Sequence, residues 1–271
     1  VKLGKEGKNG FKVIEVPWHR VPGRDDNWRV KTLQALDGDE EKFDQEFNIQ
    51  FLGSSGTLIS GWKLKELVDQ KPVMKNDDGL NQYKIPEKDH MYVIIADVAR
   101  GKGLDYSAYL VIDTTEMPYR VVCTYKDNNI SPLVYPSVIK RIADYYNQAY
   151  VLVEINDNGQ QVVDSLFEDY DYENILSTVD IKGKTSITWG YGNKSYRGIR
   201  TTKSVKRLGC SIMKNLIEGQ KVIIQDFELI SELSTFISKG TSFEAEEGSH
   251  DDLVMCLVLF SWMTNQQFFS E

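Results

Sequence analysis

The apolar positions of this chain change period several times, and those changes mark out its elements. From Met91 to Ala96 they run unbroken, the pattern of a buried strand, and end at Asp97. Arg100-Gly-Lys-Gly103 reads as a turn, Tyr106–Ile112 as a second strand and Tyr119–Tyr125 as a third. Tyr135, Val138, Ile139 and Ile142 fall at helical spacing, which predicts an amphipathic helix over 133–147. Tyr150–Ile155 is a fourth strand, followed by Asn156-Asp-Asn-Gly159 and a helix through Val162, Val163, Leu166 and Phe167. Asn174–Ser177 reads as a fifth strand. Further on, Val205, Leu208, Ile212 and Leu216 predict a helix, Lys221–Ile224 a strand and Asp226–Ser238 another helix. The last helix starts near His250 and is apolar almost all round through Met263, so it is expected to be buried.

Residues 1–62 are more mixed. Phe11–Val16 fits a short strand and Glu40–Phe47 a short helix, with loop at Pro17, Pro22 and Gly23. Gly53-Ser-Ser-Gly56 reads as a turn or linker, and Lys75–His90 is a second variable, polar stretch. Three strands joined by tight turns, then alternating helices and strands, predict an α/β fold with one mixed sheet flanked by helices, three antiparallel strands followed by parallel ones. That order resembles the RNase H-like one. The expected division is a remnant or linker over 1–62 and the folded domain over 63–271.

Composition narrows the class. Hydrophobic residues at 41% and charged residues at 27% of 271 are ordinary globular usage and exclude a mostly disordered chain. Three scattered cysteines and three histidines argue against a disulfide framework or a structural zinc site, and for a reducing compartment. The longest apolar run, Leu253–Phe260, is far short of the ~20 residues of a membrane span, so no membrane is expected. The amino terminus does not read as a signal peptide, and the initial Val1 is expected to belong to a fragment of something longer.

The net charge of −8 is unevenly spread. Between Ile181 and Ile217 there are nine basic residues and no acidic one: Lys182, Lys184, Lys194, Arg197, Arg200, Lys203, Lys206, Arg207 and Lys214. Taking those nine from 32 leaves 23 basic residues against 40 acidic ones elsewhere. Such segregation makes a local positive field of the kind that attracts phosphate. Trp189, Tyr191 and Tyr196 stand among Gly190, Gly192 and Gly198 in the same stretch, so it also reads as a flexible loop with aromatic faces. The plainer alternative is a solvated helix face beside a surface loop.

Three carboxylate positions stand at element ends. Asp97 closes the first strand, Glu154 lies at the end of the fourth, and Asp251–Asp252 opens the last helix. If the first and fourth strands are neighbours, Asp97 and Glu154 sit side by side, and a helix crossing that edge brings Asp251 to them. Carboxylate oxygens suit Mg²⁺ or Mn²⁺, and two such ions ~3.5–4 Å apart stabilise both the attacking and the leaving oxygen of a phosphodiester. Each residue also has a bland role: turn chemistry for Asp97, solvation for Glu154, a helix cap for Asp251, a strand cap or a place in the site for Asp105.

Three stretches resemble the large terminase subunit of tailed bacteriophages, especially its T-even-like branch. They are Ile95-Ala-Asp-Val-Ala-Arg-Gly-Lys-Gly-Leu-Asp-Tyr106, Val151-Leu-Val-Glu-Ile-Asn156 and Glu246-Glu-Gly-Ser-His-Asp-Asp-Leu-Val-Met255. Pro17-Trp-His-Arg-Val-Pro-Gly-Arg-Asp25 and Phe43–Thr57 look like the segment that precedes the nuclease domain there. The resemblance implies an RNase H-like endonuclease that cuts concatemeric double-stranded phage DNA during packaging. Its metal carboxylates fall on Asp97, Glu154 and Asp251, with Asp105 at a nearby acidic position and Asp252 open as a sharer of the third. As partners it implies an ATPase domain in cis, a portal protein and a small terminase subunit, at the procapsid in the host cytoplasm.

ATP binding is not expected of this chain. Before Gly183-Lys184-Thr185 the position that a Walker loop needs as glycine is Thr178, and no acidic partner accompanies it. Gly101-Lys-Gly103 and Gly190-Tyr-Gly192 lack the third glycine of a dinucleotide fingerprint, and there is no GxSxG or HExxH. Two other classes stay open: a junction resolvase or RNase H on the same fold, and a non-catalytic DNA-binding or docking module.

Overall fold

In the computed structural model, which describes residues 16–48, 56–99, 105–188 and 195–269, the chain divides between Ser55 and Gly56. The first unit contains helices α1 (Asp26–Ala35) and α2 (Glu40–Phe47). Each starts on an aspartate cap: Trp28 N–H donates to Asp25 at 2.8 Å and Lys42 N–H to Asp39 at 2.9 Å. Trp18, Trp28, Phe43 and Phe47 pack ring against ring, with Arg24 4.5 Å over Trp28. The pattern missed α1 because it buries no residue of its own, so no apolar stripe marks it. The expected strand over Phe11–Val16 and the Gly53–Gly56 turn lie almost wholly outside the described residues, and so does the Arg100–Gly103 turn.

The second unit runs α3 (Gly61–Glu66), β1 (Met74–Lys75), β2 (Leu80–Gln82), β3 (Tyr92–Asp97), β4 (Ser107–Asp113), β5 (Tyr119–Asp127), α4 (Tyr135–Tyr145), β6 (Tyr150–Val153) and α5 (Gly159–Glu168). There follow β7 (Ser177–Ile181), β8 (Lys184–Thr188), β9 (Ser195–Arg197), α6 (Lys203–Glu218), β10 (Val222–Ile223), α7 (Phe227–Leu233), β11 (Phe236–Lys239), β12 (Ser242–Ala245) and α8 (Asp252–Thr264). The main sheet has the order β1-β2-β5-β4-β3-β6, and β10 pairs with β5. β3, β4 and β5 are antiparallel, while β6 runs parallel to β3 and β10 parallel to β5. This is the mixed α/β sheet that the pattern predicts.

Strand alternation divides the core in two. Val93, Ile95, Leu110, Ile112 and Leu152 pack with α6 and α8 on one face. Tyr92, Ile94, Ala96, Tyr109 and Val111 pack with α4 and α5 on the other. Both faces are covered, so the central strands are apolar throughout. α8 is buried from Leu253 to Met263. Among the described residues no helix is long and apolar enough to cross a membrane.

Several expectations need correction. The helix expected over Asp226–Ser238 stops at Leu233, and Phe236–Lys239 is a strand paired with β12. Phe236 is drawn into the core, and its carbonyl accepts from Leu58 N–H at 3.0 Å, a tertiary pairing that overrides the local helical pattern. The Lys75–His90 stretch contains β2, entered by Gly79 at φ +91, where any Cβ would meet the Lys126 carbonyl. The basic loop is largely a small sheet, β8-β7-β9. Asn174–Ser177 pairs beside β6 only through the single Val151–Ile175 bridge before entering β7. In α6 the core stripe is Val205, Gly209, Cys210, Met213 and Leu216, whereas Leu208 is 40% exposed. The chain divides earlier than residue 62 because Leu58 and Ile59 belong to the core of the second unit.

Candidate metal centre

The β3–β6 ladder places two of the carboxylates. Its register runs from Val93–Tyr150 to Ala96–Val153, so one step further sets Asp97 opposite Glu154. Glu154 N–H donates to the Ala96 carbonyl at 2.8 Å, which closes that step. Alternation puts both on the face of Val93, Ile95 and Leu152, the face that α8 covers. Two glycines allow the backbone to close here. A Cβ at Gly159, the first residue of α5, would lie 1.7 Å from the Glu154 carbonyl oxygen. One at Gly198, where φ is +85, would lie 2.6 Å from the Val153 oxygen.

Asp97 keeps some solvent access but is enclosed by protein on nearly every side. That desolvation, then the charge of Glu154 and a hydrogen bond shared with it, then the charge of Asp252, push its carboxyl well above the ordinary range. Asn156 Nδ2 donates to Glu154 Oε1 at 3.0 Å. Burial also raises Asp252, against the opposing pull of Lys126 and His250.

The two aspartates of α8 part company. Asp252 Oδ2 is buried beside Lys126, and the charge of Asp252 adds to those that push Asp97 up. Asp251, one residue earlier, turns its carboxylate to the β12 side and accepts from Ala245 N–H at 3.3 Å. Asp105 is exposed just ahead of β4, with no hydrogen bond or ion pair to the others among the described residues.

Two groups at this site carry no signal in the sequence. Lys126, at the end of β5, forms an ion pair with Glu232 of α7 and stands 3.4 Å from Asp252 Oδ2. Burial lowers Lys126, but Glu232 and then Asp252 outweigh it and hold the ammonium above its ordinary value. Burial pushes Glu232 up to about 7 despite that partner. Glu232 Oε2 accepts from Val254 N–H in the first turn of α8 at 3.0 Å. His250 Nδ1 lies 3.9 Å from Asp252 Oδ2, its ring edge-on to Tyr106. A cleft of about 230 Å³ opens beside them, lined by Lys126, Glu232, Ser249 and His250 among others.

These residues fit a hard divalent cation. Asp252 Oδ2 is buried without a well-formed hydrogen bond, its nearest charge being the Lys126 ammonium in an ion pair at 3.4 Å. Among the described residues no three His, Cys, Asp or Glu side chains are grouped closely enough to hold a metal ion by themselves. Mg²⁺ does not need one, because it takes one or two carboxylates and completes its shell with water and phosphate.

The basic residues lie on β8, β9 and α6 and the turns around them. Lys182, Lys184, Arg200, Lys203, Arg207 and Lys214 are exposed, Arg197 stacks 3.4 Å over Phe167, and Lys206 is half-buried. Only Lys214 has a carboxylate partner among the described residues, Glu218 at 3.9 Å. Lys194 lies outside the described residues, as do Trp189 and Tyr191.

A three-layer α/β domain with three antiparallel strands, a parallel fourth and carboxylates at the ends of two adjacent strands defines the RNase H-like nuclease class. Within it, residues 94–263 match the family described as the terminase RNaseH-like domain, and the chain belongs to that family. The fold is shared with the large terminase nuclease of the thermophilic phage G20c with bound magnesium, at a TM-score of 0.58 and 20% identity, covering 77% of this chain and 97% of that one. The same protein with bound zinc gives 0.52 and 18%, covering 75% and 96%. The large terminase nuclease domain of Thermus phage P74-26 gives 0.53 and 18%, covering 74% and 92%.

Proposed function

We propose that the chain is a divalent-metal-dependent endodeoxyribonuclease that cuts double-stranded, concatemeric viral DNA during genome packaging. The observation that carries this is Asp97 set opposite Glu154 by the β3–β6 register, on the sheet face that α8 covers, with the buried Asp252 Oδ2 at the start of that helix. In this reading Asp97, Glu154 and Asp252 hold Mg²⁺ or Mn²⁺, two ions in the active complex, with Asp251 and Asp105 at the margin. Similar large terminase nuclease structures contain magnesium and zinc, which supports a divalent site. Bound ions would activate water and stabilise the leaving oxygen of the phosphodiester.

The protein's own groups do the rest. The β3–β6 register fixes Asp97 against Glu154, Asn156 orients Glu154, and α8 brings in Asp252. Lys182, Lys184, Lys194, Arg197, Arg200, Lys203, Lys206 and Arg207 hold the phosphate backbone and bring the duplex to the site. Residues 1–55 belong in this reading to a preceding ATPase region, and the working assembly includes that motor, a portal protein and a small terminase subunit at the procapsid.

The test is plasmid nicking by the purified chain with Mg²⁺, with chelator, and with Asp97→Asn. Cleavage in Mg²⁺ that chelator and the variant both abolish is the expected result. Cleavage that survives both sinks the metal-site reading, and a preference for RNA–DNA hybrid or four-way junction over duplex moves the function to another RNase H-like nuclease.

A further inference from the structure

Three elements meet at the start of α8, and the charges they bring are ordered in an informative way. Both oxygens of Glu232 are in use: Oε1 on the Lys126 ammonium and Oε2 on Val254 N–H. Asp251, the N-cap of α8, makes no side-chain cap of its own, so the carboxylate that caps this helix comes from α7. Glu232 is therefore anchored and not free to ligate. Lys126 is 11% exposed and also lies 4.4 Å from the Tyr106 ring. It forms an ion pair with both Glu232 and Asp252 but sits closer to Glu232: Asp252 Oδ2 is 3.4 Å away, and the contact is too poorly shaped to count as a formed hydrogen bond to that buried oxygen.

We infer that Glu232 and Lys126 are positioning residues that set the cation affinity of the site: Glu232 draws the ammonium off Asp252 Oδ2 and leaves that oxygen open to a divalent cation. The inference rests on Asp252 being a metal ligand, as proposed above. A lysine ammonium is a compact charge on a flexible stem with three rotatable donors. Without the charge of Glu232 it would swing onto Asp252, and an incoming cation would have to displace it. Without the ammonium itself, Asp97, Glu154, Asp252 and Glu232 would face one another with no resident counter-charge, and a divalent cation would be held more tightly. The two substitutions thus act in opposite directions. A merely structural pair would give the same direction for both, because breaking a buried ion pair from either side destabilises the fold.

The experiment is calorimetric titration of Mg²⁺ into the DNA-free 271-residue chain, with unfolding midpoints in chelator and in saturating Mg²⁺ as a second readout. Glu232→Gln, which keeps an acceptor for Val254 N–H, is expected to weaken Mg²⁺ binding by about tenfold or more. Lys126→Met is expected to tighten it by about tenfold, and the double variant to follow Lys126→Met. If Lys126→Met does not fold, Lys126→Gln serves, since its amide still donates to Glu232 without the charge. Shifts of the same sign at both positions, or no shift at either, overturn the inference. Asp252→Asn separates the two levels: unchanged Mg²⁺ binding there overturns the ligand assignment and the inference with it. Lost binding there, with same-sign shifts at Lys126 and Glu232, overturns the inference alone.

Discussion

Asp251 and Asp252 are adjacent and chemically identical, yet they meet different partners: Asp251 accepts from Ala245 N–H, while Asp252 Oδ2 is buried beside the Lys126 ammonium. Asp251 is the non-helical cap and Asp252 the first helical residue of α8, so their side chains leave the backbone in different directions and the start of the helix decides which carboxylate meets Lys126. Asp252→Asn is therefore expected to lower Mg²⁺-dependent cleavage at least a hundredfold, and Asp251→Asn by less than about tenfold, each with an unchanged circular dichroism spectrum. The reverse order in a cleavage assay would transfer the role to Asp251. At the other end of the sheet, His90 Nδ1 lies 2.8 Å from Asp113 Oδ2. That contact raises His90 above its ordinary 6.5. Burial pushes Asp113 up, but the hydrogen bonds from His90 and Thr115 outweigh it and leave it below 3.8. A raised His stabilises the fold fully below 6.5 and loses its effect as pH rises through the folded value; a lowered Asp stabilises above 3.8 and loses its effect as pH falls. Their joint contribution is greatest between those two ordinary values. The stability gap between wild type and His90→Gln should be wider near pH ~5.5 than near pH ~8.5. A gap that does not change with pH would assign the contact no charge.

At the scale of elements, the site depends on how tightly α5 starts against β6. Gly159 opens α5 in the place where a Cβ would strike the Glu154 carbonyl at 1.7 Å, and backbone cannot yield cheaply. Helix propensity alone favours Gly→Ala by about 1 kcal/mol. Overpacking costs roughly 1–3 kcal/mol, so steric cost should win. Gly159→Ala is expected to lower the denaturant midpoint and to reduce cleavage by shifting Glu154. A rise in midpoint would show that the Glu154 backbone gives way. Gly209 does similar work in α6, where a Cβ would lie 2.4 Å from the Val258 oxygen of α8.

Charge segregation belongs to the whole molecule. An acidic body with one basic region orients a polyanion before any specific contact forms. Lys203, Lys206 and Arg207 share a face of α6 at i, i+3 and i+4, and none has a carboxylate partner among the described residues. Each phosphate neutralised adds about 0.9 to the slope of log K against log salt. Replacing all three with glutamine should flatten the slope for duplex DNA by up to about three units. An unaltered slope would return the charges to a solvated face.

Strand alternation, the unbroken apolar run of β3 and the all-round apolar α8 were legible without coordinates, because burial on one or both faces leaves a direct imprint on residue type. The same holds for Asp97 and Glu154, polar residues closing apolar strands. The local pattern over β11 is helical, and its pairing with β12 and with Leu58 is decided by segments distant in the chain. Lys126 and Glu232 are 106 positions apart and look like ordinary polar ends of a strand and a helix. Local sequence determined which elements form and which face of each is apolar. Which charged side chains meet was decided only by the tertiary structure, since ion pairing across β5, α7 and α8 depends on through-space distance and has no periodicity to read.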